Sequence, residues 1–190
     1  HKEYRRQRQM CIRDRSNGGY FTFDGVNDYI TFGTNTAIQP TSACTISIWV
    51  YVDSSLGTGY FYSTGNEDTG RNGVGVWYDS AGYRSILESN SSYQVLSNSA
   101  GVTTKGVWYF VTTSFNGTTL KTYFNGVLKN SVSQTIVPTN GTYPTIIGNT
   151  NGGSSYYFKG NVSYLKVYNT QLSDADVLAD FNEFKSRYGY

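Results

Sequence analysis

Arg71, Asn72, Trp77, Tyr78 and Asp79 bring a guanidinium, an amide, two aromatic rings and a carboxylate into one short stretch of chain. Aromatic rings lie against the apolar face of a pyranose and planar polar groups take its hydroxyls, so a loop feeding a strand with this mixture is suited to sugar recognition. Tyr156 and Tyr157 add a second aromatic edge. The same residues also fit plain packing, with Trp77 in a core and Tyr78 an ordinary surface tyrosine. Asp24, Asn27 and Asp28 offer oxygen ligands of the kind calcium takes. They equally fit an Asx-type turn in which Asp24 accepts from the backbone near Gly25. Asn66, Glu67, Asp68 and Asn72 form a second oxygen-rich loop.

Catalytic sets are harder to find. Glycoside hydrolysis needs two carboxyls about 5–9.5 Å apart across a bond, yet Glu67 and Asp68 are adjacent in a loop and Glu88 stands alone. The one histidine, His1, precedes everything that looks folded. A Ser-His-Asp triad, a Cys-His pair and a His-bearing zinc site therefore lack a base or a ligand. No Walker loop or dinucleotide fingerprint is present. The two cysteines, Cys11 and Cys44, are too few for a disulfide scaffold or a CxxC-type metal site.

The elements that must position these groups are strands. Aromatics make up 16% of the 190 residues against 15% charged, with only three prolines, a balance that favours pleated, half-buried surfaces. Thr45–Val52 alternates, with Ile46, Ile48, Val50 and Val52 on one face and Ser47, Trp49 and Tyr51 on the other. Strands are also expected at 20–24, 28–32, 73–78, 83–87, 107–115, 120–124, near 145–147 and at 158–168. Gly160 marks a bulge or a close backbone approach in the last of these. Asn116-Gly117 and Asn125-Gly126 both match the two-residue hairpin loop with positive φ at each central position. One helix closes the chain. Ser173 and Asp176 form a capping-box variant, Leu172 and Val177 a hydrophobic staple, and Val177, Phe181, Phe184 and Tyr188 share the face that packs on the sheets. The length suits one domain.

Residues 1–15 carry six of the fifteen Lys and Arg, leaving nine basic against eleven acidic residues beyond them. The folded part thus lacks the clustered basic face that nucleic acid requires. No apolar run reaches the roughly 20 residues of a bilayer span. Residues 1–17 are expected to be a disordered or non-native leader. The run RQRQMCIRDR resembles a peptide that recurs at the ends of metagenomic reading frames, where sequencing-adapter DNA is translated in frame. On that expectation residues 18–190 form the domain, the C-terminal module of something larger.

Six ordered segments, FDGVNDYI (Phe23–Ile30), TISIWVYV (Thr45–Val52), VWYFVTTSFNG (Val107–Gly117), YFNGV (Tyr123–Val127), IIGN (Ile146–Asn149) and FKGNVSYLKVYNTQLSDADV (Phe158–Val177), resemble laminin-G-like members of the concanavalin A-like lectin/glucanase superfamily. The closing segment is most similar to versions in bacteriophage tail proteins and metagenomic surface proteins. The resemblance implies an all-β fold, a two-sheet antiparallel jelly-roll sandwich with one short C-terminal α-helix. Family members commonly carry an acidic residue where this chain has Ser163, which weakens any calcium site that relied on it. The glucanase branch carries Glu-x-Asp-x-x-Glu on one strand, which is missing here. The expected function is a non-catalytic carbohydrate-binding or adhesion module, extracellular or on a virion surface. Its partner would be a glycan or cell-surface polysaccharide, with neighbouring modules of the same chain, no nucleic acid and no membrane insertion. No cofactor is required, and calcium at Asp24, Asn27 and Asp28 is the exception to watch. The alternatives are a structural or protein-contact module without a glycan ligand and, more distantly, a glycoside hydrolase.

Overall fold

The computed structural model describes residues 19–65, 72–89, 92–97 (backbone only), 102–139, 142–151 and 155–190. Its strands are β1 (Phe21–Asp24), β2 (Ile30–Thr31), β3 (Cys44–Val52), β4 (Gly59–Ser63), β5 (Gly73–Asp79), β6 (Gly82–Ser89), β7 (Ser92–Ser97), β8 (Trp108–Phe115), β9 (Thr119–Phe124), β10 (Val127–Ser133), β11 (Ile146–Ile147) and β12 (Lys159–Tyr168). The helix α1 covers Asp174–Phe184 and continues as a short 3-10 turn over Lys185–Tyr188. Two six-stranded antiparallel sheets, β1-β12-β3-β8-β9-β10 and β2-β11-β4-β5-β6-β7, face each other as a jelly-roll sandwich. Among the described residues no helix is long and apolar enough to cross a membrane.

Alternation decides what lies between the sheets. Ile46, Ile48, Val50 and Val52 of β3 meet Val74, Val76 and Tyr78 of β5 and Tyr83 and Leu87 of β6 in one core. Phe61 and Phe158 cross edge-to-face within it, ring centroids 5.1 Å apart, an arrangement aromatic pairs prefer. Among the polar residues that alternation places inside, the Ser85 and Thr113 hydroxyls bond from one sheet to the other.

Cys44 is within β3 and fully buried, and burial pushes its thiol up to about 12. The thiolate is the reactive form, so Cys44 is expected to ignore a thiol reagent at pH 8 until the protein unfolds. Counting modified thiols in a Cys11→Ser variant, with and without denaturant, checks this; rapid labelling of the native protein would refute it.

The opposite face of the first sheet supports α1. Trp49, wholly buried, stacks on Tyr188 at 3.9 Å and on Phe181 at 5.7 Å, and Phe110 lies 5.3 Å away. The capping box forms as expected: Ser173 Oγ accepts from the Asp176 backbone and Asp176 Oδ2 from that of Ser173. Val177, Phe181 and Tyr188 all pack inward.

One local expectation is corrected, and one pair of alternatives is decided. Only Asn125-Gly126 has positive φ at both positions, 51° and 77°. At the earlier turn the central pair is shifted by one residue. Asn116 N–H donates to Thr119 O, Gly117 alone has positive φ, and Asn116 Oδ1 accepts from the Thr118 and Thr119 backbones. Glycine at the first central position is the other favoured hairpin turn. In β12, Gly160 marks a close approach, since a Cβ there would sit 2.0 Å from Tyr51 O. The bulge falls instead at Tyr164, where the register against β3 shifts and φ is 48°. One extra residue flips the parity of the strand, which lets Val162, Leu165 and Val167 all face the core.

Candidate functional site

β5 separates the predicted site residues. Val74, Val76 and Tyr78 point into the core, so Trp77 points out of the second sheet. Tyr78 is therefore not beside Trp77. Its ring meets Tyr83 edge-on at 5.2 Å and its hydroxyl donates to Thr103 O at 2.6 Å, and burial raises its pKa above the ordinary tyrosine value.

Trp77 stacks on Tyr60 of β4, centroids 5.3 Å apart and planes 21° from parallel. Tyr156 meets Tyr60 edge-on at 5.9 Å, and Ile86 completes the cluster. Gly75 makes the cluster possible, because a Cβ there would come within 2.7 Å of Ile86 and 3.0 Å of Tyr60. The Tyr60 N–H donates to Tyr156 O at 3.2 Å, fixing the incoming loop beside β4. Tyr156 and Tyr157 are half-buried, whereas Trp77 and Tyr60 retain 8% and 5% exposure. Tyr60 and Ile86 were missed as site residues. The alternating tyrosines of Gly59–Ser63 carried the signal for Tyr60, in a strand not recognised from sequence.

Polar groups border the rings at both ends. Asp79 pairs with Arg84 at 2.7 Å and accepts from the Ala81 backbone at 2.8 Å, closing the β5–β6 turn. At the far end Asn72 Oδ1 accepts from Thr139 at 2.6 Å. Asn151 Nδ2 donates to the carbonyls of Gly65 and Pro144, each at 2.9 Å. Buried Glu88 stands opposite Gly73 in the register. The strip thus runs from Glu88 past the rings to the Asp79–Arg84 pair. Arg71, Asn66, Glu67 and Asp68 lie outside the described residues.

The β1–β2 turn uses its carboxylates on its own backbone. Asp24 Oδ1 accepts from Val26 at 2.8 Å and from Asn27 at 3.4 Å, and Asp28 Oδ2 accepts from Asp24 N at 3.0 Å. That is the Asx-type geometry. Among the described residues no three His, Cys, Asp or Glu side chains gather as a metal site would require.

Residues 24–178 match the family model described as the concanavalin A-like lectin/glucanases superfamily. No curated protein matches the chain in sequence. Among solved structures, the chain is similar to domain 4 of AbnA, an extracellular arabinanase of Geobacillus stearothermophilus, solved with arabinotriose. There the TM-score is 0.73 at 17% identity, over 91% of this chain and 81% of that one. It is also similar to the CBM40 of a Ruminococcus gnavus sialidase bound to sialyllactose, with TM-score 0.65 and 18% identity over 82% and 97% of the two chains. A third is the ligand-binding domain of botulinum neurotoxin serotype D with N-acetylneuraminic acid. Its TM-score is 0.65 at 15% identity, covering 86% of this chain and 42% of that one. At such identities the likeness is one of fold.

Proposed function

Because the chain belongs to the concanavalin A-like lectin/glucanases superfamily, we propose that it is a non-catalytic carbohydrate-binding module of an extracellular or virion-surface protein, serving attachment to a glycan. The observation that carries this reading is the Trp77–Tyr60–Tyr156 cluster on the outer face of the second sheet, bordered by the Asp79–Arg84 pair. Rings with planar polar neighbours are what a sugar needs, and three similar folds carry bound saccharides. Among the described residues, the spacing of the carboxylates on this strip supports a non-catalytic role. Asp79 and Glu88 stand against opposite ends of β5, six residues and roughly 20 Å apart, beyond the range of about 5–9.5 Å for a glycosidase pair.

Tyr156 is half-exposed and touches Tyr60 only by its edge, so its removal should leave the fold intact. A glycan array probed with the full chain should give hits, and Tyr156→Ala should bind them about tenfold more weakly. One observation favours a protein-contact module instead: Trp77 and Tyr60 already spend most of their area inside their own cluster. Silence across the array would overturn the glycan reading.

The donor set at Asp24 and Asp28, engaged by backbone N–H groups, supports a module that needs no calcium. Thermal unfolding midpoints with calcium and with a chelator should coincide, because an ion that binds only the native state must raise the midpoint.

A further inference from the structure

The first sheet presents a second aromatic surface, on the side of the molecule away from Trp77. Val50, Val52 and Val162 face the core, which turns Tyr51 and Asn161 outward. The register places Thr22, Asn161, Tyr51 and Trp108 side by side across β1, β12, β3 and β8. Four neighbouring strands span about 14 Å. Trp108 meets Tyr51 at 5.8 Å and receives Tyr20 edge-on at 5.7 Å. All three rings are half-buried, unlike Trp49 and Phe110 in the adjacent row, which α1 and its tail cover completely.

Two walls bound this row. On one side stands Tyr188, stacked over Trp49 and 4.9 Å from Trp108. On the other is Lys159, paired with Asp53 at 3.7 Å and donating to Ser55 at 2.8 Å. Successive same-face rows lie about 7 Å apart, so the exposed surface is a narrow slot. Its area is far below the roughly 800 Å² per partner of a standard protein interface. Among the described residues the slot itself holds no charge: its groups are rings, one amide and one hydroxyl. An extended chain of uncharged, hydroxyl-rich rings has that width and chemistry.

We infer that the row Thr22–Asn161–Tyr51–Trp108, with Tyr20, is a second glycan site that takes a linear neutral oligosaccharide, so that the module holds saccharide on both outer faces.

The test is native affinity electrophoresis of the full chain in gels containing arabinan, xylan or mixed-linkage β-glucan, with near-UV circular dichroism confirming that each variant is folded. Trp108 also carries Tyr188, so Tyr51→Thr, which keeps a strand-forming residue, is the primary variant and Trp108→Thr the second. Wild type and Tyr156→Ala should both be retarded by at least one of these polysaccharides, and Tyr51→Thr in the Tyr156→Ala background should weaken retention about tenfold further. Unchanged retention in that double variant overturns the second site. Loss of all retention in Tyr156→Ala alone also overturns it, while leaving the Trp77 platform standing. Retention that ignores Tyr156→Ala and vanishes in Tyr51→Thr supports the slot and removes the platform. Failure of all three polysaccharides to retard wild type overturns the slot, while the platform is decided separately by the glycan array.

Discussion

Replacing Trp49 by alanine should cost about 3–5 kcal/mol of folding stability. Trp49 is wholly buried and is the common partner of Phe110, Phe181 and Tyr188. Its loss opens a cavity beneath α1 that neither a β-sheet nor a capped helix can close by collapsing. The tail of the helix should then detach first, because Phe181 and Tyr188 reach the sheet through this ring, whereas the start and middle of α1 are also held by the Lys121–Asp174 and Lys166–Asp180 pairs. Urea unfolding would show the drop in midpoint, and limited proteolysis would show cleavage after Lys185 or Arg187 appearing in the variant before global unfolding. Trp108→Ala is the comparison: that ring is half-exposed and should cost clearly less. A Trp49→Ala variant within about 1 kcal/mol of wild type, well under the usual cavity cost, would mean that the helix is held by something other than this cluster.

Gly160→Ala should be of similar severity for a different reason. The position has φ +144°, and an added Cβ would lie 2.0 Å from Tyr51 O and 2.8 Å from the Phe158 ring. The ring tip could yield, but the carbonyl belongs to the β3–β12 ladder, where Gly160 is paired with Val52. Backbone strain alone is worth about 1–3 kcal/mol, and the clash adds the loss of ladder bonds, so a total above about 3 kcal/mol is expected. Gly117 separates the two contributions. It also has positive φ, +100°, but nothing lies within 4 Å of its missing Cβ. Gly117→Ala should therefore show the strain without the clash. Equal effects at both sites in denaturant titrations would sink the steric account.

Where the chain repeats a simple period, the fold was legible. Thr45–Val52 announces which face is core, and the Ser173–Asp176 box starts α1 where the spacing puts it. Legibility failed where tyrosine replaces aliphatic residues. Gly59–Ser63 is buried along its whole length, so it has no polar alternation to reveal it, and β7 lies in a serine-rich stretch that reads as loop. The candidate site shows the same division. Trp77 and Tyr78 are adjacent on a strand and cannot share a face, a constraint available from sequence that would have separated them. The Tyr60 partner could not be foreseen, since it depends on a register shift between β4 and β5 and on the space left by Gly75. Nor could sequence show that Ser163, in place of an acidic residue, would donate to Gly19 O at 2.7 Å and accept from the Tyr188 hydroxyl at 2.8 Å.

That last arrangement governs how the domain would bear load. The segment leading into β1 and the segment leaving α1 meet on one side chain of β12, so tension applied at the two ends enters and exits through the same corner. A pull would strain the Gly19–Ser163–Tyr188 bonds and peel the flanking segments, while the sandwich, with both outer faces, stays out of the line of force.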